Sequence, residues 1–161
     1  MKTVYYIICI AMIFFLCRCE SIDFSEIHID NDSEFTISFY CPLIGMTGSL
    51  YPDTTLTLDK KNIGYTINPG MLIHYNISNI SYEKWISSFS NDTVSIFIFN
   101  KDILDNYSWE EIQLDYKILR RYDLSLEDLK KLSNEKGTPI IHYPPSEKMK
   151  DMKMYPHYGS K

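Results

Sequence analysis

Residues 93–99 read Thr-Val-Ser-Ile-Phe-Ile-Phe, and six of these seven side chains are β-branched or aromatic. Such side chains lose rotamer freedom in a helix and pack well on a pleated surface, so the segment reads as a strand. Both of its alternating faces are apolar: Val94, Ile96 and Ile98 stand on one, Phe97 and Phe99 on the other. A strand of that kind belongs in the centre of a sheet covered on both sides, where a charge on either face is not tolerated. The composition points the same way. Twenty-two isoleucines and thirteen tyrosines stand beside a single alanine, Ala11, a balance that leans towards strand.

Alternation recurs earlier in the chain. Residues 26–30 place Ile27 and Ile29 on one face, and residues 35–40 do the same with Phe35, Ile37 and Phe39. The polar cluster Asn31-Asp32-Ser33 between them reads as a turn, which predicts a hairpin. Residues 42–53, with two prolines and two glycines, read as a loop, and residues 55–58 as a short strand. Residues 63–67 and 72–75 flank Asn68-Pro69-Gly70, where Pro and Gly suit the central positions of a type II turn; a second hairpin is expected there.

Past Ser81 the period changes. Tyr82, Trp85 and Phe89 are spaced three and four apart, while Ser108-Trp-Glu-Glu111 and Ser125-Leu-Glu-Asp128 match capping boxes that open short helices. Residues 116–122 and 140–143 supply further strands. The chain length suits one domain, expected over residues 24–145: α+β, an antiparallel β-sheet or small β-sandwich with short helices packed on it. Residues 146–161 follow Pro144-Pro145 and carry four lysines and three methionines. They are expected as a surface tail, frayed or coiled into a two-turn helix gathering Met149, Met152 and Tyr155. Such a tail would serve a partner more than stability.

The beginning of the chain is a separate matter. Lys2 precedes a charge-free run from Val4 to Cys17, which fits the apolar region of a signal peptide over residues 1–18 and is short for a spanning helix. An uncleaved signal-anchor is the alternative. Leu16 stands three residues before Cys19, which resembles the box that precedes the lipidated cysteine of bacterial lipoproteins, although Cys17 and Arg18 fill positions where small residues are usual. Cys19 is therefore the expected lipidation site, with residues 19–23 as lipid anchor and acidic linker. Without the lipid, Cys19 is a thiol able to pair with Cys41 in an oxidising compartment. Loss of residues 1–18 takes away Lys2 and Arg18 and moves the net charge from −5 to −7. No Lys or Arg occurs between Arg18 and Lys60, so an anionic surface would repel this stretch. The acidic balance also argues against a nucleic-acid partner.

Few residues suggest chemistry. His28, His74 and His142 each fall in a strand candidate and are able to converge in space; His157 lies in the tail. None of the four is three or four residues from another, and no Cys-x-x-Cys or His-Glu-x-x-His occurs, so no metal or cofactor is expected. Glu110, Glu111, Glu127 and Asp128 fall in first helical turns, where capping accounts for them. Arg120-Arg121 and Lys130-Lys131 read as solvated charges. The twenty-three aromatic side chains suit a core, and also a face that stacks on sugars.

Residues 92–132, the run IIHYPP at 140–145, YPDTTL at 51–56 and MKDMKMYP at 149–156 together resemble a family of short uncharacterised lipoproteins of gut Gram-negative anaerobes, of Bacteroides type. The resemblance implies an outer-membrane lipoprotein of the cell envelope, facing the periplasm or the exterior, and brings no activity and no catalytic residues. The expected function is a non-catalytic binding or accessory module, held to the membrane by its lipid and recognising a protein or envelope partner. The alternatives are a glycan-binding module and an envelope hydrolase using His28, His74 or His142.

Overall fold

In the computed structural model, which describes residues 25–43, 51–53, 55, 56 and 58–160, the apolar run at 93–99 is the middle strand of a five-stranded antiparallel sheet. In chain order the elements are β1 (Ser25–Asn31), β2 (Ile37–Tyr40), β3 (Tyr65–Ile67), β4 (Met71–Ser78), α1 (Tyr82–Ser87), β5 (Val94–Asn100), α2 (Lys101–Asn106) and α3 (Trp109–Leu114). Then follow β6 (Arg120–Leu124), α4 (Leu126–Leu132), β7 (Ile140–Tyr143) and β8 (Lys153–Tyr155). One sheet has the order β4-β1-β7, with β7 parallel to β1; the other has the order β3-β2-β5-β6-β8. The fold is mixed α+β, two sheets with four short helices. The expected signal peptide, the expected lipidation site at Cys19 and the expected linker lie outside the described residues.

The two expected hairpins do not form. β1 pairs with β4 and β2 with β3, both antiparallel, so the halves of each expected hairpin exchange partners. The pairing is one long ribbon: Asn31 stands opposite Met71 and Ile37 opposite Ile67. Five residues, 32–36, therefore face three, 68–70. A ribbon with extra residues on one side bends, and this one passes at the bend from the first sheet into the second. Asn31, fully buried, pins the corner. Its Nδ2 donates to the carbonyls of Phe35 and Ile67, both at 2.9 Å, and its Oδ1 accepts from the Ser33 amide at 3.1 Å and hydroxyl at 2.6 Å. The Asn68–Met71 turn does form: the Met71 amide donates to the Asn68 carbonyl, with Gly70 at φ +70°. It connects the sheets rather than two paired strands.

The main core lies between the sheets. Ile27, Ile29 and Ile141 meet Ile37, Phe39, Ile96, Ile98 and Tyr122 there, joined by Trp85 of α1 and by Leu129 and Leu132 of α4. The other face of the five-stranded sheet carries a second cluster, in which Phe97 and Phe99 pack against Leu104 of α2, Ile112 of α3, Leu56 and Leu58. Every residue from Val94 to Phe99 is buried, as a doubly covered central strand requires. Both capping boxes form: Ser108 with Glu111, and Ser125 with Asp128. α2, which the sequence pattern does not announce, follows β5 directly, with Asn100 Oδ1 accepting from the Asp102 amide at 2.8 Å. Residues 55, 56 and 58 are irregular rather than a strand.

Of the segment expected as a surface tail, residues 146–160 are described, and they are part of the fold. Met149 and Met154 are buried in the main core with Met152, and β8 adds to the edge of β6 with Met154 opposite Tyr122. The methionines are the apolar stripe seen in the sequence. A two-turn helix is marginal alone, however, and the unpaired edge of β6 offers this segment a ladder instead. The domain therefore continues past residue 145.

Candidate functional site

Arg121 and Asp123 alternate along β6 and so point to the same side, towards Ser95 on β5, which is opposite Asp123 in the register. The guanidinium is 1% exposed and fully engaged: Nε donates to Asp123 Oδ1 at 2.8 Å, Nη2 to Ser95 Oγ at 3.2 Å and Nη1 to the Asp53 carbonyl at 2.7 Å. Ser95 Oγ donates in turn to the same Asp123 oxygen at 2.6 Å. Arg121 also lies over the Phe97 ring, 5.3 Å from its centroid. Removing one partner from a buried pair of this kind costs about 3–5 kcal/mol, because the other charge is left in place without water.

This network forms one wall of a cavity of about 460 Å³, lined also by Lys153, Met154 and Tyr155 of β8, by His157 and by Tyr116. The volume is within the range of small-ligand sites, roughly 300–1,000 Å³. Lys153 donates to the Tyr51 hydroxyl at 2.6 Å, with its ammonium 4.3 Å from the centre of that ring. Tyr155, half exposed, meets Tyr116 edge to face at 5.4 Å between centroids.

Tyr116 is held there by the end of α3. The Lys117 amide donates to the Ile112 carbonyl and the Tyr116 amide to that of Gln113, a pattern that puts Tyr116 in the left-handed region at φ +50°. Glycine is usual at this position, and a bulky residue there stores strain on the order of 1–3 kcal/mol. The strained residue is the one whose ring lines the cavity.

The sequence reading of Arg120-Arg121 as solvated charges is corrected: both are buried. Arg120 points to the opposite side of β6 from Arg121, and its Nη1 donates to the carbonyls of Pro156 and His157. The signal available was the alternation of Arg121 and Asp123 about Tyr122, in a strand that ends on Leu124. Unlike a solvated pair, it places opposite charges on one face.

The three strand histidines divide two and one. His28 and His74 stand opposite each other on β1 and β4 with ring centroids 3.9 Å apart. Glu26 Oε1 lies 3.1 Å from His28 Nε2 and 3.6 Å from His74 Nδ1. His142 on β7 is a register step away, its Nδ1 3.2 Å from Asp32 and 3.4 Å from Asp30. None of the three lines the cavity at β6 and β8; His157 does. Cys41 is buried, burial pushes its thiol up, and it is the only free cysteine among the described residues. Glu111 and Asp128 serve their caps, and the hydrogen bonds from Ser108 hold the Glu111 carboxyl below its ordinary range.

No helix among the described residues is long and apolar enough to cross a membrane. No protein-family model, no curated protein and no solved structure matches the chain.

Proposed function

We propose that this chain is a non-catalytic binding module of the bacterial cell envelope, carried there by its leader and a lipid on Cys19, and that its ligand is a small saccharide-type component. The observation that carries this reading is the cavity between Tyr116, Tyr155 and the buried Arg121–Asp123–Ser95 network. Rings stack on the apolar faces of sugars, and the Asp123 carboxylate and the Lys153 ammonium, held by their neighbours, bond hydroxyls without first having to be ordered. The strain held at Tyr116 fits a residue placed for contact with a ligand. Ser95 donates to Asp123 and not to an imidazole, so the network is a platform rather than an activated nucleophile.

The test is titration of N-acetylglucosamine, galactose, glucose and mannose into isotope-labelled protein, followed by backbone amide shifts. At least one sugar is expected to move Tyr116, Asp123, Lys153 and Tyr155 together. Tyr155→Ala, at an exposed position, is expected to keep the fold and weaken that sugar about tenfold or more, the loss of roughly 1.4 kcal/mol of stacking. No shifts with any sugar, or shifts confined to another face, would remove the reading. The hydrolase alternative draws support from the meeting of His28, His74 and Glu26, and it requires a concave substrate site beside them.

A further inference from the structure

We propose that Glu26, His28 and His74 form a binding site for a divalent transition-metal ion, with zinc as the simplest occupant. The site lies on the sheet face away from the core and is independent of the cavity at β6 and β8.

Backbone register makes the site. The His28 amide donates to the Pro139 carbonyl, towards β7, so its polar groups point away from β4. His28 and His74 are then a non-hydrogen-bonded antiparallel pair, the kind in which Cα atoms approach to about 4.5 Å and side chains lie closest. Glu26 is two residues before His28 and shares its face, so its longer side chain reaches back over both rings. The three donor atoms lie within 4.8 Å of one another. An ion bound at about 2.0–2.1 Å in tetrahedral geometry has its donors about 3.3 Å apart. The carboxylate–imidazole separations of 3.1 and 3.6 Å bracket that edge.

The donor set selects the ion class. Two imidazoles and one carboxylate suit zinc, nickel, copper or iron, whereas calcium and magnesium take oxygen. The side chain of His74 is 64% exposed, which leaves one side of the site open to water as further ligand. The backbone beneath is fixed: the Tyr82 hydroxyl donates to the Glu26 carbonyl at 2.6 Å, and Ile27 and Ile29 are fully buried on the opposite face of β1. A bound ion would cross-link β1 to β4 at the free edge of the three-stranded sheet.

Asp30, Asp32 and His142 also bring three donors within 4.8 Å, with one imidazole and two carboxylates. That oxygen-richer group serves as the comparison. The experiment is calorimetric titration of zinc chloride into the untagged full chain, as wild type, His74→Ala and His142→Ala. All three proteins keep the same cysteines, so thiol binding cancels in the comparison. Wild type and His142→Ala are expected to bind zinc with Kd of about 1 μM or below, and His74→Ala at least about tenfold more weakly. His74 is exposed, so its loss leaves the core intact, which circular dichroism verifies. The proposal is overturned if wild type takes zinc only at millimolar concentration, an adventitious ion only. Equal affinity in His74→Ala, or loss confined to His142→Ala, would overturn it as well.

Discussion

Deleting residues 146–161 is expected to abolish cooperative folding. The segment buries Met149, Met152 and Met154 in the main core, and truncating a buried methionine to alanine alone costs about 2–5 kcal/mol. Loss of all three approaches the whole stability of a typical domain, about 5–15 kcal/mol. The deletion also opens the edge of β6 and removes the Pro156 and His157 carbonyls that receive the buried Arg120 guanidinium. Urea unfolding followed by circular dichroism reads the result. Met149→Ala keeps the chain whole and is expected to lose about 2–5 kcal/mol with an unchanged slope. A truncated protein with the wild-type midpoint would show that the segment only lies on the surface.

Ile96→Asp and Phe97→Asp are each expected to prevent folding, though the two residues contact different clusters. Ile96 faces the core between the sheets, while Phe97 faces the cluster beneath α2 and α3; both are fully buried. A carboxylate at position 96 has neither partner nor water, and one at 97 meets only the Arg121 guanidinium that Asp123 already neutralises, so either costs several kcal/mol beyond the lost apolar burial. Ile96→Val is expected to fold and lose only about 0.5–1.5 kcal/mol. Soluble expression and melting of the three variants decide. If one aspartate variant melts like wild type, the sheet is open on that face.

The parts of the fold that were legible are those where local chemistry and tertiary packing agree. The 93–99 run permitted only a central strand, and the serine caps of α3 and α4 announce helices by satisfying their own first amides. Partner choice was not legible. β1 and β2 are separated by five residues with turn character, which suits a hairpin as well as a corner. What decides for the corner is Asn31, whose amide bonds reach Ile67, thirty-six residues away. The same limit hid the role of the last segment. Its methionine spacing fits a helix or a strand, and the free edge of β6 that selects the strand is a property of the assembled sheet.

The candidate site was legible only in fragments. His28 and His74 were singled out as able to converge, and they do, because the ribbon places them opposite each other. His142 stays apart because β7 brings it against Asp30 instead. Arg121 and Asp123 do not announce their burial, since adjacent arginines in a sequence usually mark solvent. Their burial follows from the cover that α3, Asp53, Leu56, Leu58 and β8 provide. Tyr116 gave no sign at all: its strained backbone arises from how α3 ends, at a place where the sequence lacks the expected glycine.

Amide hydrogen exchange across residues 146–160 tests most directly the claim on which both fold and cavity depend, that β8 completes the sheet and supplies the cavity wall. The amides by which Lys153–Tyr155 pair with β6 are expected to exchange at least about 100-fold more slowly than an unstructured peptide, alongside strong protection of β5. Exchange of the whole segment at peptide rates, with β5 still protected, would contradict the account: the last strand and the cavity it encloses would not exist in solution.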